Sequence, residues 1–204
     1  MQIEYIYGRW PLQPTPASLT IRAKLCQNID MASVLQLCRR LEARPVIHSI
    51  ADIVVHSYQS DADIPAWLEL RHQAFARQRI GVRQWSESDF HAEFTSRWWW
   101  QPQRMWLAES LSSDQPIKLA AQHQLVATVT LAKRGEPSDA EHARPVVHWL
   151  VVHPRWRRRG IGRLLMAHLE AAAWDAGHRE LWLETHTAWE AAVKFYQSLG
   201  YAAS

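Results

Sequence analysis

The residues Arg157 to Arg163 combine four arginines with two glycines one residue apart, within the sequence RWRRRGIGR. They follow the apolar run PVVHWLVV and precede the amphipathic run IGRLLMAHLEAAAWDAG, so the pattern predicts a strand, a short loop and a helix. Glycines let the backbone approach a ligand closely, and the N–H groups and dipole at a helix start attract anions. The stretch therefore predicts a phosphate-binding loop.

Known nucleotide loops fit this stretch poorly. The Lys and Ser/Thr of a nucleoside-triphosphate loop are absent, and so is the third glycine of the dinucleotide fingerprint. ATP and NAD are not supported as ligands. A solvated basic loop or a nucleic-acid patch is the alternative, but neither needs paired glycines at a helix start.

His148 is the candidate general base in the preceding strand, because an imidazole titrates at about pH 6.5 and is largely neutral at physiological pH. Strand alternation predicts that its side chain lies on the same face as Leu150 and Val152. A core histidine is the alternative interpretation, and Glu184 and His186 are rival bases. Since His148 and His153 would lie on opposite faces, we predict no metal site.

The chain has 204 residues, a length that indicates one main folded domain, with or without an appended segment. The 23 basic and 20 acidic side chains are interspersed, so net charge alone does not indicate nucleic acid. Two cysteines, no secretion signal and no apolar run of about 20 residues predict a cytoplasmic protein that does not cross a membrane. Twelve tryptophans predict a large aromatic core or an aromatic-walled pocket.

The remaining chain is predicted to alternate strands and helices that support this loop. Strands are predicted in DIVVHSY, in RMWLAE and QLVATVTLAKRG as an antiparallel pair, in the central run PVVHWLVV, and in ELWLET. Helices are predicted in IPAWLELRHQAF, in SESDFHAEFTSRWWW from the cap Ser86, after the glycine loop, and in TAWEAAVKFYQSLG from a capping box of Thr187 and Glu190. In residues 1–50, strand-like runs at Gln2 to Tyr7 and Leu19 to Leu25 precede a predicted helix in DMASVLQLCRRLEA, capped by Asp30.

Two motifs together resemble the GNAT superfamily of acyl-CoA-dependent N-acetyltransferases. Arg157, Gly160 and Gly162 match the family's pyrophosphate-binding pattern, and the last helix matches its second element. The matching residues of that second element are Ala192, Phe195, Tyr196, Leu199, Gly200 and Tyr201. The resemblance covers 146–201 closely and 53–132 by element order. Residues 1–50 form an N-terminal extension outside the resemblance, and 51–204 form the domain.

The resemblance implies an α/β, three-layer fold whose mixed, mainly antiparallel sheet is splayed between the strands of His148 and Leu183. It also implies acetyl-CoA as cosubstrate. Backbone N–H groups from Arg158 to Arg163 would hold the pyrophosphate, and the pantetheine arm would pair with Leu150 and Val152 like an added strand. The loop residues implied in binding are Arg157, Arg158, Arg159, Gly160, Ile161, Gly162 and Arg163.

Catalytic roles follow from the same resemblance. Tyr196 would donate a proton to the departing thiolate, with a packed aromatic as the alternative, and an N–H of Val151 or Val152 at a bulge would hold the oxyanion. Trp189 stands where many relatives have an asparagine near the pantetheine. Phe90, Phe94 and Trp98 would wall the acceptor pocket or simply pack in the core.

The predicted function is acetylation of a primary amine, in a small molecule or a peptide, by direct attack in a ternary complex. A non-catalytic acyl-CoA-binding module is the first alternative, and a nucleic-acid-binding protein is the second. Relatives usually continue past the last motif into two more strands, so ELWLET would present an unpaired edge. We expect residues of the N-terminal segment to cover that edge, within the chain or across a homodimer.

Overall fold

A seven-stranded mixed sheet organises the protein in the computed structural model, which describes residues 34–76, 83–111 and 124–204. The strands are β1 (Val34–Arg40), β2 (Ile53–Ser57), β3 (Met105–Ser110), β4 (Gln124–Arg134), β5 (Arg144–Val152), β6 (Glu180–His186) and β7 (Ala202–Ala203). The described α-helices are α1 (Ile64–Phe75), α2 (Glu87–Glu93), α3 (Ile161–Asp175) and α4 (Glu190–Gln197). The predicted α/β class is confirmed.

The order of strands across the sheet is β2-β3-β4-β5-β6-β1-β7. Neighbours are antiparallel except β5 and β6, which are parallel and are in register at one pair, Val146 with Trp182. Beyond Val146 the two strands diverge, which confirms the predicted splay. A gap therefore opens between the C-terminal halves of β5 and β6.

Two hydrophobic clusters cover the two faces of the sheet. The first cluster packs α3 and α4 on one face and includes Leu165, Leu169, Leu183 and Tyr196. The second packs α1 and α2 on the other face and is rich in aromatic rings, among them Trp67, Phe90, Phe94 and Trp149. We call these the α3 face and the α1 face.

The strand β1 corrects one prediction and confirms another. The helix predicted in DMASVLQLCRRLEA is wrong, because residues 34–40 form a strand that pairs antiparallel with the whole of β6. The expectation that the N-terminal segment covers the edge of ELWLET is confirmed within one chain. The runs Gln2 to Tyr7 and Leu19 to Leu25 lie outside the described residues.

Two helix boundaries also differ from prediction. Ser86 and Asp89 form the expected capping box, but α2 ends at Glu93, so Trp98 is not on its face and is 38% exposed. Phe90 and Phe94 are fully buried in the core of the α1 face. The capping box predicted at Thr187 is wrong, because α4 begins at Glu190 with Trp189 at the N-cap and no side-chain cap bond.

A bulge in β5 changes the face of His148. The β4 partners of His148 and Val151 are two residues apart, whereas His148 and Val151 are themselves three residues apart in β5. Trp149, which lies between them, has a positive φ of 49°. The extra residue reverses the alternation, so His148 contacts Phe94 and Trp99 on the α1 face while Leu150 and Val152 pack on the α3 face. The prediction that His148 shares a face with Leu150 and Val152 is therefore wrong.

Candidate active site at the splayed strands

The glycine loop joins β5 to α3 and has the backbone form of an anion cradle. Gly160 is the N-cap of α3 with φ +84°, and Arg158 also has a positive φ of 64°. The amide of Leu164 donates to the carbonyl of Gly160 at 3.0 Å, which closes the first turn. The preceding amides of Ile161, Gly162 and Arg163 are those that a helix start leaves to a ligand or to solvent.

Gly162 has a packing role that differs from that of Gly160. A Cβ at Gly162 would lie 3.2 Å from Cζ of Phe195 and 3.7 Å from Cγ2 of Val152, so its missing side chain lets α3 approach α4 and β5. A Cβ at Gly160 would meet only Cδ1 of Ile50, at 3.4 Å, and the constraint there is the left-handed backbone. The two glycines thus set the position and the shape of the loop.

The four loop arginines are held in different ways. Arg157 donates to the carbonyls of Val152 and Ala74, each at 3.1 Å, and burial lowers its pKa. Arg163 bonds the hydroxyl of Ser198 at 2.7 Å. The guanidinium of Arg159 lies 4.5 Å from the ring centre of Trp156, and Arg158 is exposed. Arg157 therefore fixes the loop to the protein, while Arg158 and Arg159 contribute positive charge at its surface.

The edge of β5 that faces the gap carries backbone groups outside the β4 ladder. His153 donates its amide to the carbonyl of Val126 at 2.8 Å, so alternation directs the amide of Val152 toward β6. The carbonyl of Val152 accepts from Arg157. The bulge itself lies at Trp149 and Leu150, one to three residues before the amides predicted to hold an oxyanion.

Tyr196 lies on the α3 face and is 6% exposed. Its ring contacts that of Tyr201, with centres 5.9 Å apart. The hydroxyl of Tyr201 donates to Oε1 of Glu170 at 3.1 Å, and the same carboxylate accepts a hydrogen bond from Nη1 of Arg39 at 2.8 Å. Burial, followed by the charge of Glu170, raises the pKa of Tyr201 well above its usual value. Tyr196 therefore stands beside a buried polar network that ties α3 to β1.

His148 is paired with a carboxylate on the α1 face that the sequence did not suggest. Its Nε2 lies 2.8 Å from Oε1 of Glu93, and the two side chains are 13% and 6% exposed. The same carboxylate oxygen accepts the indole N–H of Trp149 at 3.1 Å, and its Oε2 lies 3.5 Å from Nη2 of Arg97. With Nε2 directed at Glu93, Nδ1 is the nitrogen through which His148 could accept a proton.

The rival bases have other partners. Glu184 is ion-paired with Arg134 and accepts from Nε2 of Gln36 at 2.9 Å. Nδ1 of His186 accepts the amide of Ala188 at 3.0 Å, which places the proton of a neutral ring on Nε2. A neutral His186 therefore presents a donor, and Glu184 is a partner in an ion pair.

An aromatic contact spans the two sides of the gap. Phe75, at the end of α1, lies 6.0 Å from Trp189 and 6.1 Å from Trp149, measured between ring centres. Trp189 also lies 6.3 Å from His186 of β6. The tryptophan at the position of the expected asparagine thus gives this end of the gap an apolar wall.

The arrangement separates two kinds of chemistry across the sheet. The glycine loop and Tyr196 belong to the α3 face, and His148 with Glu93 belongs to the α1 face. The gap between β5 and β6 connects the two faces.

The part of the chain that the structure describes has neither a metal-binding cluster nor a membrane-spanning helix. Residues 34–76, 83–111 and 124–204 contain no cluster of three His, Cys, Asp or Glu side chains suited to a metal ion. No helix within these ranges has the length and hydropathy to span a membrane.

Comparison with known proteins gives the family. Residues 73–201 match the model of the Acetyltransferase (GNAT) family. An uncharacterized protein of Mycobacterium leprae is 27% identical over 191 residues, which are 94% of this chain and 46% of that protein. The ribosomal protein bS18-alanine N-acetyltransferase of Salmonella typhimurium is 40% identical over 52 residues, 26% of this chain and 35% of that enzyme.

A solved structure, the GCN5-related N-acetyltransferase of Sphaerobacter thermophilus, aligns with a TM-score of 0.62 and 17% identity. The alignment covers 84% of this chain and 48% of that one, so this chain spans about half the length of this protein and of the Mycobacterium leprae protein. The match over 73–201 takes in the glycine loop, both strands of the gap and α4. This chain is a member of the GNAT acetyltransferase family.

Proposed function

We propose that the protein transfers an acetyl group from acetyl-CoA to a primary amine by direct attack in a ternary complex. The observation that carries the proposal is the gap between β5 and β6, with an anion cradle and Tyr196 on one face and the His148–Glu93 pair on the other. Family membership supports acetyl-CoA as the cosubstrate.

The α3 face has the groups that the cosubstrate requires. The amides at the start of α3 would bind the pyrophosphate, since Gly160 holds the loop open and the helix dipole favours anions there. The edge of β5 at Leu150 and Val152 would accept the pantetheine as a strand-like neighbour, because the register with β6 has ended. The acetyl thioester supplies the electrophilic carbon and a thiol leaving group.

On the α1 face, His148 would take the proton that the attacking amine must lose. Glu93 orients the ring through Nε2 and stabilises the imidazolium that forms, while Nδ1 receives the proton. Burial of the pair in an aromatic shell makes this orientation more rigid. The amide of Val152 would hold the developing oxyanion, as it is directed into the gap.

On the α3 face, Tyr196 would give its phenolic proton to the departing sulfur. The carbon–nitrogen bond forms as the carbon–sulfur bond breaks, so the products are an acetylated amine and CoA. One proton leaves the amine at His148 and one reaches the thiolate from Tyr196, and solvent restores both groups. No cysteine nucleophile is needed. Cys38 lies opposite Trp182 in the pairing of β1 with β6, at the end of β6 away from the gap.

The acceptor is a primary amine of a small molecule or a peptide. The 52-residue similarity to a ribosomal-protein alanine N-acetyltransferase makes peptides with N-terminal alanine the first candidates. The aromatic wall of Phe75, Trp149 and Trp189 favours acceptors with an apolar group near the amine.

Release of free thiol from acetyl-CoA, measured over a panel of small amines and short peptides, tests the proposal. We expect turnover with at least one amine, and little thiol release by a Tyr196→Phe variant that still binds CoA. A protein that is protected against thermal unfolding by CoA but releases no thiol with any amine would be a binding module instead. Absence of CoA protection would contradict both interpretations.

A further inference from the structure

A pocket at the opposite end of the sheet is lined mainly by basic side chains. It has a volume of about 460 Å³ and lies between the start of β5 and the turn from α3 to β6. Its ionisable lining residues are Arg40, His142, Arg144, His178, Arg179 and Glu180. Three arginines and two histidines thus line the pocket with one carboxylate, and His142 also contacts the carboxylate of Asp139 at 2.6 Å.

This pocket is distinct from the glycine loop. The loop lies at the N-terminal end of α3, and the pocket includes Gly177 and His178, just past its C-terminal end. The helix has 15 residues, so its ends are about 22 Å apart at a rise of about 1.5 Å per residue. An anion in one site therefore does not contact the other.

Two arginines of the pocket are held by aromatic rings. The guanidinium of Arg144 lies 4.6 Å from the ring centre of Trp182, and that of Arg179 lies 3.7 Å from that of Trp174. Stacking occupies the planar face of a guanidinium and leaves its N–H groups at the edge for other acceptors. Both arginines are therefore partly ordered before any ligand binds.

Acceptors within the protein use few of the N–H groups of Arg144 and Arg179. Nη1 of Arg179 donates to the carbonyls of Trp174 and His178, at 3.0 and 3.1 Å, which leaves the N–H groups of Nε and Nη2. Among the described residues, neither Arg144 nor Arg179 has a carboxylate oxygen within 4.0 Å.

The local potential is positive beyond these two arginines. Burial lowers the pKa of His178, and the nearby charges of Lys133, Arg104 and Arg179 lower it further. A third arginine of the lining, Arg40, has only an exposed and loose ion pair with Glu42, at 3.7 Å. A carboxylate or phosphate entering the pocket would gain Coulomb energy from the arginines and from Lys133.

We propose that this pocket is a second anion site, which binds a compact oxyanion with more than one negative charge. Arg144 and Arg179 supply edge-on donors, and the volume holds more than one phosphate or carboxylate group. The site works independently of the glycine loop and of the acetyl-transfer reaction. Phosphate and carboxylate ligands share this chemistry, so two probes are needed to separate them.

Calorimetric titration of inorganic pyrophosphate, and separately of citrate, into four proteins tests the site. The proteins are the Gly160→Val variant, in which the loop is impaired, an Arg144→Gln/Arg179→Gln variant in the same background, a Lys194→Gln/Gly160→Val control, and the wild type. We expect binding to persist in Gly160→Val and in the control, and Kd to rise at least tenfold when both arginines are replaced. Tighter binding of pyrophosphate than of citrate would identify phosphate as the preferred chemistry, and the reverse order would identify carboxylate.

Two results would overturn the proposal. One is loss of all pyrophosphate and citrate binding in Gly160→Val, which would place every anion in the loop. The other is unchanged affinity after both arginines are replaced. If the double variant fails to fold, as judged by circular dichroism, the single Arg144→Gln substitution is tested in its place, because Arg144 is exposed and the one contact described for its side chain is the ring of Trp182.

Discussion

The α3 face and the α1 face of the sheet carry the two halves of the candidate active site, and they are built differently. On the α3 face, aliphatic packing places a loop whose proposed recognition groups are backbone amides. On the α1 face, a carboxylate and an imidazole from distant parts of the chain meet inside an aromatic shell. The first half therefore depends on backbone conformation at a few glycines, and the second on the identity of particular side chains.

The largest expected effect tests the dependence of the α3 face on backbone. Replacing Gly160 by Val forces a β-branched residue to φ +84° and blocks close approach of a phosphate. We expect affinity for CoA to fall about a hundredfold or more, measured by calorimetry. Gly177→Val is the matched control, because Gly177 has φ +85°, a Cβ added there would meet no atom within 4 Å, and the residue lies outside the loop.

Both variants should lose similar stability, since both strain the same backbone region by about 1–2 kcal/mol. CoA affinity should nevertheless remain near that of the wild type in Gly177→Val. Equal CoA affinity in the two variants would remove the loop from the binding site.

The next effect concerns side-chain chemistry on the α3 face. Tyr196→Phe removes the proposed proton donor, so kcat should fall about ten- to a thousandfold, while KM for acetyl-CoA changes little. The lower part of this range applies if water partly replaces the phenol as the proton donor. The measurement is steady-state thiol release. Tyr201→Phe is the control, because it removes a neighbouring phenol that bonds Glu170.

Tyr201→Phe should lower the free energy of unfolding by about 1–3 kcal/mol, since buried Glu170 loses a donor, and should leave kcat within about twofold. If Tyr196→Phe instead behaves as this control does, Tyr196 is a packing residue.

A smaller effect tests the side-chain pair of the α1 face. Glu93→Gln keeps the shape of the side chain but removes the charge that stabilises a protonated His148. We expect kcat/KM to fall about tenfold and its acidic limb to move to lower pH, in a profile measured from pH 5 to 9. In His148→Gln that limb should disappear.

Glu190→Gln is the matched control for Glu93→Gln, because it breaks an exposed pair with Lys194 on α4. Its pH profile should superimpose on that of the wild type. Retention of the full rate and of the acidic limb in His148→Gln would transfer the base role to Glu184 or His186.

The smallest effect concerns the cap that begins α2, the helix that carries Glu93. The guanidinium of Arg83, with the amide and hydroxyl of Ser86, lowers the pKa of Asp89. A lowered carboxyl pKa stabilises the fold above the pKa of the unfolded chain, about 4, and this contribution is lost as pH falls below that value. Asp89→Asn should cost about 1 kcal/mol at pH 7.

Thermal unfolding between pH 7 and pH 2 measures this contribution. The difference in Tm between wild type and Asp89→Asn should be about 2–4 °C at pH 7 and should shrink below pH 4. If the difference in Tm is constant across this pH range, the stability that the cap contributes comes from uncharged hydrogen bonds alone.

Local patterns were sufficient to predict much of the fold. Periodicity predicted α1 and α3 and the strands β2 to β6, because each of these segments shows its buried face in its own sequence. The glycine loop was also predictable, since paired glycines at a helix start have few other uses.

Long-range contacts account for the failures. Residues 34–40 have an apolar spacing that suits a helix, yet they form β1 because β6 offers them an unpaired edge. Trp149 adopts a positive φ that its residue type does not suggest, and this one residue reverses the face of His148. Glu93 was missed because both of its partners are distant in sequence. Trp149, whose indole N–H donates to it, is 56 residues away, and His148 is 55 residues away.

The position of β1 between β6 and β7 has a consequence for synthesis of the chain. Gln36 of β1 bonds Glu184 of β6 across 148 residues. Closing such a long loop is entropically costly and slows folding, so proteins rich in these contacts have a high contact order. During translation, β1 leaves the ribosome before its partner strand β6 does. At about 5–20 residues per second, the backbone of β1 waits several seconds or more for that partner, and during this time its edge is open to incorrect strand pairing.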